Sequence, residues 1–313
     1  MYCIGVNFAV QIYLIVKKPQ YLTIFIAVAV LCLLWAFGSI KSNPTSAHEG
    51  HAHEDGHDHP APASAGGGVL ISSFSIDSAL GAAKNKLSKE NISRIDQLEA
   101  SVAKAGGSQQ KLHAYHQLSG YWKDSIKAFI PYAWYIAEEA RLENSEKNLN
   151  FAGHLFLNNL QHIENAEMAR WMGLQAKDLF ERSLKLNPGN DSAKVGLGAT
   201  YMFGGISNAP MEGIAKIRDV VTKDSTNVYA QMTLAMGSLM SGQTDKAKER
   251  LEIVTRLDPE NLQAVLLLAD VYEKQDNKQE ALKFYQKALP LVSNHAEMKT
   301  ELEKRIIALK KQN

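Results

Sequence analysis

Along most of the second half of the chain, apolar residues recur at spacings of three and four in runs of helical length, separated by short polar turns; this is the period of amphipathic helices. The runs come in pairs. One run carries Leu234, Ala235 and Ser238, and the next carries Ala247, Leu251 and Val254, followed by Pro259. Each member of Leu268, Ala269, Tyr272, Ala281, Tyr285 and Ala288 stands 34 residues after its counterpart. The pattern predicts helical hairpins, too small to bury their apolar faces alone, that stack and share one core. Small residues at 235, 247, 269 and 281 are expected where helices cross closely, and the bulky Leu251 and Tyr285 between pairs. Asp258-Pro259 is expected to end one helix and Pro259 to suit the first turn of the next.

Upstream the same pattern persists with insertions. Leu197, Gly198 and Tyr201 match the first run, and Gly213, Ile217 and Val220 precede Ala247, Leu251 and Val254 by 34 residues. The step from Leu197 to Gly213 is 16 residues against 13 from Leu234 to Ala247, so three extra residues fall in the loop-like stretch from Met202 to Pro210. Ala176, Phe180, Ser183 and Pro188 read as an earlier second helix whose first helix departs from the pattern. Leu118, Ser119, Trp122, Ala133, Ala137 and Ala140 read as a degenerate copy with about two residues inserted.

In spacing and residue type together, the chain resembles the tetratricopeptide repeat family over about 180 residues. The fold class expected is all-α, an α-solenoid of helical hairpins. Clear repeats are expected at 191–227, 228–261 and 262–295, with irregular copies at 112–148 and 154–190. A generic helical bundle is the alternative, and it does not account for the recurrence. Two elements flank the array. Residues 73–111 read as a capping hairpin, with helical runs from Ile76 to Leu87 and from Asn91 to Ala105 and Ser88 as the cap of the second. Residues 296–313 read as a C-terminal capping helix, with Met298, Leu302, Ile306, Ile307 and Leu309 inward.

The N-terminal part differs. After a short apolar segment, 1–20, residues 21–40 carry no charge, and at about 1.5 Å each they match the ~30 Å hydrocarbon core of a bilayer. Tyr21 and Trp35 lie near the ends of this expected transmembrane helix, and the run exceeds the 7–15 residues of a cleavable signal core. Lys17 and Lys18 before the span against Lys41 after it favour an N-terminus inside, placing the array in the periplasm or extracytoplasmic space of a plasma or inner membrane.

Residues 41–72 have no helical or strand periodicity and read as a flexible tether, with a typical reach of roughly 30 Å. Half of the ten histidines lie there: His48, His51, His53, His57 and His59, interleaved with Glu49, Glu54, Asp55 and Asp58. Neutral imidazoles in His-x-His pairs beside carboxylates are competent ligands for a divalent metal such as zinc, copper or nickel. The alternative is a soluble linker, since no scaffold of supporting residues is visible. Both cysteines, Cys3 and Cys32, precede the tether, so the array has neither a disulfide nor a cysteine nucleophile.

No phosphate loop, nucleophile elbow or His-Glu-x-x-His is present, and an enzyme is not expected. His113 and His116 share a helix face, three residues apart, without a third ligand placed by the sequence; Trp122, Trp134 and Trp171 are expected in the core. A net charge of +1 gives no footprint for nucleic acid. Binding of a protein or peptide partner is what the resemblance implies, on the inner face lined by first helices. Carried onto this sequence, the lining positions are Met202 from one copy, Tyr229, Met232, Met236 and Leu239 from the next, and Gln263, Leu266, Asp270 and Glu273 from the last. Such a face is methionine-rich at its centre and acidic at one end, suited to an amphipathic helix or extended peptide with a basic end. The family's charged clamp for C-terminal carboxylates is missing from it.

Overall fold

The structure, a computed structural model, describes residues 74–206 and 210–311. The short N-terminal segment, the expected span at 21–40, the tether and its histidines lie outside the described residues. Among the described residues there are thirteen α-helices and no strand, and no helix is long and apolar enough to cross a membrane.

The helices pair in sequence. A first hairpin, α1 (Ile76–Lys84) and α2 (Lys89–Lys104), precedes α3 (Ser108–Gly120) and α4 (Phe129–Glu143), then α5 (Glu146–Asn159) and α6 (Ala166–Leu186). Three regular hairpins follow: α7 (Asp191–Phe203) with α8 (Pro210–Lys223), α9 (Val228–Met240) with α10 (Thr244–Leu257), and α11 (Leu262–Lys274) with α12 (Lys278–Ala288). A final helix, α13 (Ala296–Lys311), packs on α12. Each second helix packs against the first helix of the next pair, and α5 touches α7 as α7 touches α9. The result is a TPR-like solenoid whose core is a chain of clusters at successive hairpin junctions.

The 34-residue register is visible in what is buried. Ala235, Ala247, Leu251, Ala269 and Ala281 are fully inaccessible, and Tyr285 nearly so. Asparagine caps repeat too. Asn190, Asn227 and Asn261 accept from the backbone N–H of Ala193, Ala230 and Ala264 at 2.9, 2.9 and 3.1 Å, each contribution about 1 kcal/mol. In the turns before them Asn190, Asn227 and Asn261 donate their own N–H to the carbonyls of Asn187, Asp224 and Asp258. Pro188 and Pro259 therefore sit inside four-residue turns and not in the first turn of the following helix. Inside the hairpins the chain reverses through a left-handed residue, Gly205, Gly242 or Asp276.

Insertions in the irregular copies are absorbed in three ways. Between α3 and α4 the extra residues are taken up by a wide π turn at Tyr121–Ile126 and by Lys127 at φ 59°. That turn leaves Trp122 fully buried with Ile95, Leu98 and Leu118, and its indole N–H has no partner among the described residues. In the next copy the first helix presents Ala152, Gly153 and Phe156, with Ala152 standing 24 residues before Ala176. The excess lies in a 3-10 turn at Leu160–His162 and in the long N-terminal part of α6. Trp171, on that added part, meets Phe74, Trp134 and Phe156 at ring separations of 4.8, 6.1 and 5.6 Å, so it fastens the entry of the capping hairpin. The loop after α7 folds back, with Ile206 and the Gly204 carbonyl against Gly173 of α6.

Candidate peptide-binding face

The expected lining residues divide by what they touch. On α9, Met232 is 8% exposed and belongs to the cluster of Ala235, Leu251, Val254 and Leu268, so it is a core residue. Met236 and Leu239, one and two turns on, are half-buried at its edge, and Met240 beyond them is 71% exposed. Gln263 of α11 brings its amide nitrogen to 3.9 Å from the Met236 sulfur, and Leu266 is half-buried beside it in sequence register. Met202 of α7 is spent inside the array: its methyl occupies the space that a Cβ on Gly237 would take, at 2.1 Å. The stretch from Met236 to Met240 with Gln263 and Leu266 thus forms the accessible apolar part. Met240 lay outside the family's lining positions, and only its solvent exposure reveals it.

At one end the face is closed by the chain itself. His154 on α5 stands at the register of Met236, and its Nε2 lies 2.9 Å from the Ser192 hydroxyl of α7, which also accepts from Asn150 Nδ2 at 3.3 Å. The imidazole contacts the Phe180 ring edge-on at 5.0 Å and the Tyr229 ring at 5.5 Å. The His154 and Tyr229 rings, from α5 and α9, thus meet beside Ser192 of α7. Burial lowers the His154 pKa to about 4 and holds the Tyr229 phenol well above its ordinary value, so both are neutral near pH 7. A serine hydroxyl beside an imidazole is the pairing of nucleophile and base. Here the base is weak, and no carboxylate orients the ring among the described residues, so nothing points to catalysis. Asn150 Oδ1 is buried beside this cluster without a partner among the described residues.

The acidic end is engaged as well. Asp270 and Glu273 both lie within hydrogen-bonding distance of the Tyr285 hydroxyl on α12, and Arg305 of α13 donates to Glu273 at 2.9 Å. The histidine pair on α3 diverges: His113 bonds Gln117 at 3.1 Å, whereas His116 Nδ1 lies 3.3 Å from Glu139 of α4. The described residues contain no group of three His, Cys, Asp or Glu side chains that could hold a metal.

A tetratricopeptide repeat family model matches residues 234–296. The matched stretch begins at Leu234, takes in the rest of α9, then α10, α11 and α12, and ends at Ala296. No curated protein matches the chain. Among solved structures the chain is similar to MamA, residues 41 to the end, from Desulfovibrio magneticus RS-1, at 20% identity and TM-score 0.40 over 59% of this chain and 96% of that one. It is similar to YrrB, a TPR protein with an unusual peptide-binding site, at 18% identity and TM-score 0.37 over 61% and 91%. It is also similar to TTC0263, a thermophilic TPR protein in Thermus thermophilus, at 14% identity and TM-score 0.45 over 65% and 98%. The fold is a TPR-like helical solenoid.

Proposed function

We propose that the protein is a membrane-anchored scaffold that holds the apolar face of a partner's helix or peptide against α9 and α11. The observation that carries this reading is the accessible methionine and leucine edge at Met236, Leu239 and Met240, flanked by the Gln263 amide and Leu266 on the adjoining first helix. Flexible thioethers adapt to varied apolar surfaces, and a glutamine among them supplies one orienting hydrogen bond. With the His154 cluster closing one side and Tyr285 and Arg305 engaging the carboxylates on the other, the accessible part suits a short apolar segment of two or three helical turns. The anchor at 21–40 and the tether at 41–72 support a placement beside the bilayer, with the array outside the cytoplasm.

A photo-crosslinking side chain placed at Leu239 in the intact protein in its membrane tests this. A discrete crosslinked partner is expected, lost on Met236→Glu or Met240→Glu with helicity and melting retained, and absent from a probe at the exposed Glu249. Equal crosslinking from both positions removes the groove reading. Met232 is not a useful position for the test, since a charge there enters the core and unfolds the repeat.

The histidine tether supports a second reading, a metal-handling role in the cell envelope, because five histidines and four carboxylates lie between His48 and His59. Titration of a peptide spanning those residues with zinc is expected to give submicromolar affinity; millimolar affinity ends that reading.

A further inference from the structure

Around Tyr285 there are more hydrogen-bond acceptors than the phenol has protons. Its oxygen, on α12, lies 2.5 Å from Asp270 Oδ1 and 2.9 Å from Glu273 Oε2, both on α11. Glu273 Oε2 also accepts from Arg305 Nε of α13 at 2.9 Å. A phenol has one hydrogen and serves one carboxylate; the other contact sets oxygen against oxygen and is repulsive unless a second proton lies in it. The phenol cannot resolve the conflict by ionising, because burial and the two neighbouring carboxylates push its pKa up. Arg305 pairs with Glu273 and keeps negative charge there, whereas Asp270 has no ion-pair partner among the described residues.

We propose that Asp270 holds a proton more readily when the last repeat is folded than when it is open, and that this proton latches the C-terminal helix α13 onto α11. The chain of bonds then runs in one direction: Asp270 donates to the Tyr285 oxygen, Tyr285 donates to Glu273, and Arg305 closes on Glu273 from α13. Every oxygen contact holds one hydrogen. The charged and titratable groups that bear on Asp270 are Glu273 and Lys274 on its own helix, Tyr285 on α12 and Arg305 on α13. Burial of Asp270 raises its pKa and Glu273 adds to the rise, while the bond to Tyr285 and the charges of Arg305 and Lys274 oppose it; the net direction is upward.

A carboxyl raised by folding favours the folded arrangement while it is protonated. The latch is therefore complete below the ordinary value of 3.8 and is lost as pH rises from there through the raised value in the fold, by up to roughly tenfold in its equilibrium per pH unit. Asp270 and Glu273 are also two of the positions that form the acidic end of the binding face. While the latch holds, they are occupied by the chain's own Tyr285 and Arg305, and their release offers that end to a basic residue of a partner. This last consequence rests on the groove reading above; the latch itself does not.

Hydrogen exchange of the α13 amides in the full-length protein, expressed as protection factors corrected for intrinsic rates, tests the latch between about pH 4 and about pH 8. Protection around Leu302 and Ile306 is expected to fall across the acid part of this range in the wild type. In Asp270→Asn, which keeps a donor toward Tyr285 without a titrating proton, it is expected to stay high and flat. A flat wild-type profile, or an Asp270→Asn profile with the wild-type slope, overturns the proposal. Should that variant fold poorly, the carboxyl carbon-13 resonance of Asp270 decides in the wild type: a midpoint above 3.8 is expected, and a midpoint at or below 3.8 overturns the proposal. Neither readout involves a partner, so failure of the latch and failure of the groove are separate results.

Discussion

The hairpins from α7 to α12 and those from α1 to α6 solve one packing problem by different means. In the regular half, alanines hold the small positions on both helices of a pair, Ala235 and Ala247, then Ala269 and Ala281, and all four are inaccessible to solvent. In the irregular half, bulk replaces regularity. Phe180 fills the space between α5 and α7, and a Cβ on Gly153 or Gly196 would come within 2.8 or 2.4 Å of its ring. The added length of α6 carries Trp171 into an aromatic cluster with Phe74, Trp134 and Phe156. A solenoid thus tolerates inserted residues when the insertion brings a large side chain, as Trp122 and Trp171 do here, to fill the space it opens.

Deleting Phe180, the bulky residue at the register of Leu251, is expected to separate the two halves most strongly. Phe180→Ala is expected to cost about 3–5 kcal/mol, because two glycines line the ring and neither can expand to fill the cavity. Unfolding in urea measures it. Leu251→Ala, the same deletion in the regular half, is expected to cost about 2–5 kcal/mol. A smaller loss at Phe180 than at Leu251 would mean that the irregular half is the looser of the two.

Acid should find the irregular half first. His154 is neutral in the fold, with its pKa lowered to about 4 by burial from an ordinary 6.5. Protonation of the unfolded chain therefore begins to favour unfolding as pH falls through 6.5, and the contribution is fully lost once pH passes below about 4. The shift corresponds to on the order of 3 kcal/mol. Proton NMR of the imidazole is expected to show no titration near pH 6, and His154→Phe is expected to flatten the pH dependence of stability in that window. The latch at Asp270 has the opposite sign, being strongest in acid, so the two ends of the array should diverge as pH is lowered.

The same contrast explains what could be read from the residues in order. Spacing of 34 made the paired helices from α7 to α12 legible, because there a repeat position and a structural position coincide. It failed at α5, where Ala152, Gly153 and Phe156 obey the pattern but Ala152 stands 24 residues ahead of Ala176 where Leu234 stands 13 ahead of Ala247. No periodicity survives an insertion of that size, though the Ala-Gly-x-x-Phe signature was there to be found. The asparagine caps at 190, 227 and 261 were equally visible in sequence and carried a physical reason. For the candidate face, family positions located the right helices. They could not tell Met232, buried within the cluster of Leu268 and Ala264 of α11, from Met236, half-exposed at its edge, because that depends on the facing helix.

A finer comparison lies within the crossings. Gly198 and Gly213 occupy the positions that Ala235 and Ala247 hold one repeat on, and a Cβ on Gly213 would stand 2.3 Å from the Gly198 carbonyl oxygen. The obstacle is backbone, which cannot rotate aside. Gly213→Ala is therefore expected to cost roughly 1–3 kcal/mol despite alanine's better helix propensity, read as a lowered melting temperature.

Gly237→Ala should do almost nothing to stability, although its added Cβ would stand even closer to its neighbour, at 2.1 Å from the Met202 methyl. The neighbour here is the far end of an unbranched side chain that can turn to another rotamer. Alanine gains up to about 1 kcal/mol over glycine inside a helix, which offsets the lost contact, so a net change within about 0.5 kcal/mol is expected. The informative readout is the Met202 methyl resonance, which should move as the side chain leaves α9 while the melting temperature stays put. A drop as large as that of Gly213→Ala would mean that Met202 is held as rigidly as backbone, and that the regular half tolerates change at its crossings no better than the rest of the array.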